Sequence, residues 1–132
     1  MKFFRIIFTF YALIVFIALM LVVFPLALLA MFWGRIKGGN MIYRLCMIWG
    51  DIWFALTFIL VKRIHEVPYQ QDKPFIYVAN HISYLDTPVI VKAFRHPLRP
   101  LGKVEMSKVP VFGYIYKNAI VTVDRSSPEN RA

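Results

Sequence analysis

The stretch "FIYVANHISYLDTPVIVKAFR" (residues 75–95) changes character twice along its length. Phe75–Ala79 is uniformly apolar, rich in β-formers and bounded by Pro74 and Asn80. It predicts a short strand covered on both faces. Beyond a polar turn, Leu85, Val89, Ile90 and Ala93 recur at helical spacing. Asp86 or Thr87 is the expected N-cap, with Pro88 in the first turn. A strand feeding a helix through a short turn is the building unit of an α/β sheet. That unit places His81 and Asp86 at the carboxyl edge of the sheet, where functional groups collect.

Reading downstream extends the same pattern. "LRPLGK" (98–103) can form a second short strand, and "VPVFGYIYKN" (109–118) reads as an interrupted helix or loop. "AIVTV" (119–123) is a third strand, ending at Asp124–Arg125. Alternating strands and helices imply the α/β class, specifically an αβ-sandwich with a largely parallel sheet.

Upstream the chain is of a different kind. Hydrophobic residues make up 59% of the 132 residues, against roughly 45–50% in soluble domains. No charge interrupts "IIFTFYALIVFIALMLVVFPLALLAMFW" (6–33). As helix it would reach roughly 42 Å, more than the roughly 30 Å of a hydrocarbon core. The surplus implies tilt, a kink at Pro25 or a part lying in the interface. Lys2 and Arg5 resemble the basic start of a signal peptide. The apolar run is about twice the usual length for one, however, and no small-x-small cleavage site follows it. An uncleaved anchor is therefore expected.

A second apolar segment, Met41–Val61, contains Arg44 and Asp51 and is closed by Lys62–Arg63. Asp51 at mid-bilayer would cost about 2.5–3.5 kcal/mol on insertion scales. Trp49 and Trp53 share a helical face and suit the headgroup region. A helix in one leaflet, or a re-entrant partner of the first, is expected rather than a second clean span. A buried amphipathic helix of a soluble domain is the alternative. "GRIKGGN" (34–40) reads as the basic, glycine-rich turn between the two segments. Residues 1–63 are thus expected to be membrane-anchoring helices, a single helix or a pair, and 64–132 a separate polar unit.

The formal net charge is +9, with basic side chains in excess on both sides of residue 62. Next to an apolar anchor, such charge points to anionic headgroups or phosphate-bearing lipids as partners. No helix-turn-helix, zinc-ligand or aromatic-basic signature supports a nucleic-acid partner. Cys46 is the only cysteine, so there is no internal disulfide, and no Cys/His metal cluster is expected. This composition fits a polar unit on the cytoplasmic face. The positive-inside rule leaves orientation open, since Lys2 and Arg5 are balanced by Arg35 and Lys37. His65 and His96 read as surface residues.

His81 and Asp86 would not face each other on one helix, because five residues advance roughly 500°. They can meet only if His81 lies in the turn and Asp86 points back from the first helical turn. In that arrangement the imidazole can take a proton from an attacking hydroxyl. The carboxylate would fix the tautomer and stabilise the imidazolium. The bare spacing is a weak motif, and on spacing alone a helix cap at Asp86 with a turn residue at His81 is the favoured reading. Ser83 has no second base nearby, which favours a turn role over a nucleophilic one.

The following stretch, "LGKVEMSKVPVFGYIYKNAIVTVDR" (101–125), adds a further pattern. Asn80, His81 and Asp86 match N-H-x4-D after a strand. Lys103, Glu105 and Met106 match K-x-E-hydrophobic, Pro110 and Gly113 match P-x-x-G, and "IVTVDR" ends in Arg125. Over residues 75–125 the chain resembles the glycerolipid acyltransferase family, the 1-acylglycerol-3-phosphate acyltransferases and their relatives. The resemblance implies that His81 is the general base on an acceptor hydroxyl and that Asp86 orients it. Arg125 would bind the acceptor's phosphate; Lys103 would assist or simply lie on a solvated strand end. It implies acyl-CoA or acyl-carrier protein as co-substrate, a lysophospholipid acceptor, and no further cofactor. The family's E-G-T-R motif and its apolar-proline element do not follow, so 64–132 is expected to be the front half of an acyltransferase domain. A small non-enzymatic membrane protein with a lipid- or protein-binding basic face is the competing reading. A hydrolase using the same pair on water is a third.

Overall fold

In the computed structural model, which describes residues 2–64, 75–83, 85–110, 112–124 and 126, the apolar N-terminal half is a helical hairpin. Helix α1 (Lys2–Ala30) runs through Pro25, and a 3₁₀ turn (Met31–Trp33) leads into α2 (Gly34–Leu56). Gly34 sits at φ 77°, ψ 176°, a region essentially closed to residues with a Cβ. The helices run antiparallel. At the open end the Tyr11 hydroxyl donates to the Leu56 carbonyl at 2.9 Å, and the Trp53 indole N–H to the Ala12 carbonyl at 3.1 Å. In mid-hairpin Phe16 stands edge-on to Trp49, with ring centroids 5.0 Å apart.

This hairpin corrects two expectations. The turn is confined to Met31–Gly34, while 35–40 is helical. Gly38 and Gly39 serve close packing instead: Gly38 lies against the Ala30 backbone, and Gly39 against the Arg99 guanidinium and the Asn118 carbonyl. Trp49 and Trp53 do not present their indoles to the outside of the hairpin. They are buried, stacked with centroids 6.4 Å apart, because the helical face they share is the one turned to α1.

The opposite side of α2 receives the polar half of the chain. Helices α3 (Asp86–Ala93) and α4 (Phe112–Ala119) both pack on it. Tyr43 donates to the Phe94 carbonyl at 2.9 Å, and Arg99 reaches Asn40 Oδ1 at 2.9 Å and the Ile36 carbonyl at 3.1 Å. Asp51, the charge that interrupts the apolar segment, points to α3. Its two oxygens accept from Lys92 at 2.9 Å and Arg95 at 2.8 Å. A core of Ala27, Ala30, Met31, Ile42 and Ile115 forms where α1, α2 and α4 meet. Most of α1 stays uncovered: Phe4, Phe10, Ile14 and Leu21 are all more than half exposed. The helical stretch Lys2–Leu56 includes a segment long and apolar enough to cross a membrane.

Strand β1 (Leu101–Lys103), a 3₁₀ turn (Val104–Lys108), α4 and β2 (Val121–Val123) make a β–α–β unit. The strands are parallel, pairing Leu101 with Val121 and Lys103 with Val123. Both short strands and the helix between them lie where the sequence predicts.

Residues 75–79 do not form the expected strand. Ile76 and Val78 are 95% and 93% exposed, and the sheet of the described residues is β1–β2 alone. A strand apolar on both faces needs a ladder partner and cover on each side, and among the described residues it has no ladder partner and cover only at Tyr77. The described residues are therefore mostly helical with a small two-stranded parallel sheet, and the expected αβ-sandwich is not seen among them. The segment is instead held by ring contacts, Tyr77 lying 4.4 Å from Phe94 and 5.5 Å from His96. His96 is accordingly half-buried rather than at the surface, and His65 lies outside the described residues.

Candidate active site

The turn before α3 is organised by one carboxylate. No side chain caps the helix, and Leu85 rather than Asp86 or Thr87 holds the N-cap position. Asp86, the first helical residue, turns back toward the preceding loop. Its Oδ2 accepts from the Ile82 N–H at 2.7 Å and the Ser83 N–H at 2.8 Å, and lies 3.1 Å from His81 Nδ1. The Asp86 N–H donates to the Ser83 carbonyl at 3.1 Å, and the Leu85 N–H to Ser83 Oγ at 3.2 Å. Short polar side chains commonly bind nearby backbone in this way. Ser83 therefore has the turn role expected of it.

Those donors hold the Asp86 carboxyl below the usual carboxylate range. The Ser83 amide has the largest effect, the Ile82 amide the next, and the contact with His81 a smaller one. Asp86 is thus an anion at neutral pH whether or not His81 is charged. In a neutral imidazole, an anion beside Nδ1 favours the tautomer with its proton on that nitrogen. The lone pair of Nε2 is then free to accept. With 62% of its side chain exposed, His81 can be reached by a hydroxyl arriving from outside. The spatial pairing that the sequence required has formed.

The other predicted residues stand apart from this pair. Lys103 is exposed at the carboxyl end of β1. Among the described residues no hydrogen bond or ion pair joins it to His81 or Asp86. The parallel register sets it beside Val123, so the ends of both strands converge. Just beyond, Asp124 Oδ1 accepts from the Ser126 hydroxyl at 2.6 Å and the Ser126 N–H at 2.8 Å. The hydroxyl first, then the amide and the charge of Lys108 hold the Asp124 carboxyl below its ordinary value. Arg125 lies outside the described residues. A groove of about 430 Å³ lined by Leu26, Trp33, Met41 and Arg44 belongs to the hairpin and not to this turn.

Sequence reasoning missed the two amides that hold Asp86 and the role of Asp51. For the amides there was a signal, a serine three residues before an aspartate at a helix start. For Asp51 the signal was its isolation in an apolar segment, but nothing in the sequence pointed to Lys92 and Arg95.

A turn at the start of a helix with an exposed, carboxylate-oriented imidazole is equipped for acyl or proton transfer. Residues 56–132 match the family model described as Acyltransferase, and the chain belongs to that family. The match includes the His81–Asp86 turn, Lys103 and Arg125, in keeping with the resemblance carried by residues 75–125. No curated protein and no solved structure was found to match the chain.

Proposed function

We propose that this chain is a membrane-bound O-acyltransferase that moves an acyl group from acyl-CoA or acyl-carrier protein to the free hydroxyl of a lysophospholipid such as 1-acylglycerol 3-phosphate. The supporting observation is His81 Nδ1 held 3.1 Å from a carboxylate oxygen that is itself anchored by two amides. Nε2 of His81 takes the acceptor's hydroxyl proton as its oxygen attacks the thioester carbonyl. The carbon–sulfur bond breaks, and the imidazolium returns the proton to the departing thiolate. Asp86 holds the ring in the right tautomer and stabilises its charged form. Arg125 offers a planar fork for the acceptor's phosphate, with Lys103 as a second cation near the strand ends. Residues 1–63 anchor the protein in the membrane, and 64–132 form the acyltransferase unit on the cytoplasmic face. The exposed apolar surface of α1 favours this reading, since a soluble domain rarely leaves so large a patch uncovered.

The test is to incubate the full chain in phospholipid vesicles with labelled acyl-CoA or acyl-carrier protein and a set of lysolipids. Labelled diacyl product, greatest with a phosphate-bearing acceptor, is expected. Labelled free fatty acid formed without an acceptor would instead identify a hydrolase. Salt-sensitive binding to anionic vesicles with neither product would identify a non-enzymatic lipid-binding protein.

A further inference from the structure

Asp51 is the only acidic residue in the N-terminal helices, yet it does not face the apolar exterior. Its carboxylate takes Lys92 Nζ on one oxygen and the Arg95 guanidinium on the other, at 2.9 and 2.8 Å. These cations sit at the carboxyl end of α3 and just past it, where positive charge also suits the helix dipole. Three further contacts fix the same helix on α2. Lys92 lies 5.5 Å over the Phe54 ring, Gly50 faces the Pro88 carbonyl, and Tyr43 donates to the Phe94 carbonyl at 2.9 Å.

At 8 residues, α3 is too short to define its own direction. Its amino end carries Asp86, and Asp86 carries the His81 turn. The bonds within that turn do not involve Asp51. The grip on Lys92 and Arg95 therefore determines not the shape of the pair but its place relative to the apolar hairpin. A misplacement of about 1 Å can cost a reaction about 100-fold when one reactant is held elsewhere.

We propose that Asp51 is a positioning residue: by clamping Lys92 and Arg95 it sets the His81–Asp86 pair at a fixed height relative to the lipid layer that holds the acceptor. This rests on the acyl-transfer reading above. It predicts a split between two kinds of acceptor. In the full chain in vesicles, Asp51→Asn should lower kcat/KM about tenfold or more for a long-chain lysolipid embedded in the same bilayer. A short-chain, water-soluble lysolipid, which can approach His81 from solution, should lose no more than about threefold. Asp51→Glu, which keeps the charge, should recover most of the embedded-acceptor rate. Equal losses on both acceptors, or no loss on either, would overturn the proposal.

If the unaltered chain acylates neither acceptor, the acyl-transfer reading fails, and the clamp is still tested by amide hydrogen exchange. Asp51→Asn should then speed exchange at the α3 amides of Val89 and Phe94 while overall helicity stays constant. Unchanged exchange at those amides would refute the clamp itself.

Discussion

Three donors converge on one oxygen of Asp86, and two of them are the backbone amides of Ile82 and Ser83. The pH behaviour of the turn follows. Because the folded carboxyl titrates below its unfolded value of about 3.9, its contribution is fully present above that value. It is lost as pH falls through the lower, folded value. Protection of the Ile82 and Ser83 amides from hydrogen exchange, corrected for the intrinsic pH dependence of exchange, should be present at neutral pH and lost only below about pH 4. Absence of protection at neutral pH would mean that Asp86 does not hold the turn. Trp49 is a second case at this scale. Its indole N–H is buried without a partner among the described residues, whereas that of Trp53 is bonded to Ala12. Trp49→Phe should therefore destabilise the protein less than Trp53→Phe, by about 1 kcal/mol in thermal melts in micelles. The pairing of His81 with Asp86 was legible in the sequence because a turn leading into a helix lets residues five apart meet where a continuous helix would not, and that turn forms here without the strand expected before it. What holds Asp86 was only partly legible: Ser83 three residues before Asp86 signals such a turn, but the direction of the backbone amides depends on the fold.

Among the elements, the hairpin turn and the hairpin seam make different demands on glycine. Gly34 has the mirror-region φ of 77°, and nothing lies within 4 Å of where its Cβ would be. Gly34→Ala should thus cost about 1–3 kcal/mol for backbone reasons alone. Gly38 has ordinary helical geometry but touches the Ala30 backbone. Gly38→Ala should cost about 1–3 kcal/mol through displacement of α1, despite alanine's better helix propensity. Chemical denaturation followed by circular dichroism measures both, and a more stable Gly38→Ala protein would refute the close approach. In "GRIKGGN" the sequence shows three glycines without showing which one turns the chain, because close packing and chain reversal both select glycine. The strands at 101–103 and 121–123 were legible as apolar runs closed by charged residues. The run at 75–79 carries the same signal. It forms no strand because pairing is a property of neighbours, and among the described residues none covers Ile76 or Val78.

For the whole molecule, α2 has two faces with different duties. It packs on α1 through Trp49 and Trp53, and it carries α3 through Tyr43 and Asp51 and α4 through Gly39 and Ile42. The polar half therefore rests along the length of the hairpin, an arrangement hidden in the sequence because its contacts join residues some 40 to 60 positions apart. The apolar exterior of α1 was legible, since no charge breaks residues 6–33. Cell fractionation should recover the chain with membranes. High salt, which screens the basic surface, should not release it, because apolar burial rather than charge would hold it there. Release by salt alone would contradict an embedded α1.

The central claim is that His81, steadied by Asp86, is the base of acyl transfer. The rate of labelled diacyl-lipid formation by His81→Ala in vesicles tests it most directly. A fall in kcat of about 10²–10⁴-fold with vesicle binding unchanged is the predicted result; transfer at the unaltered rate would contradict it.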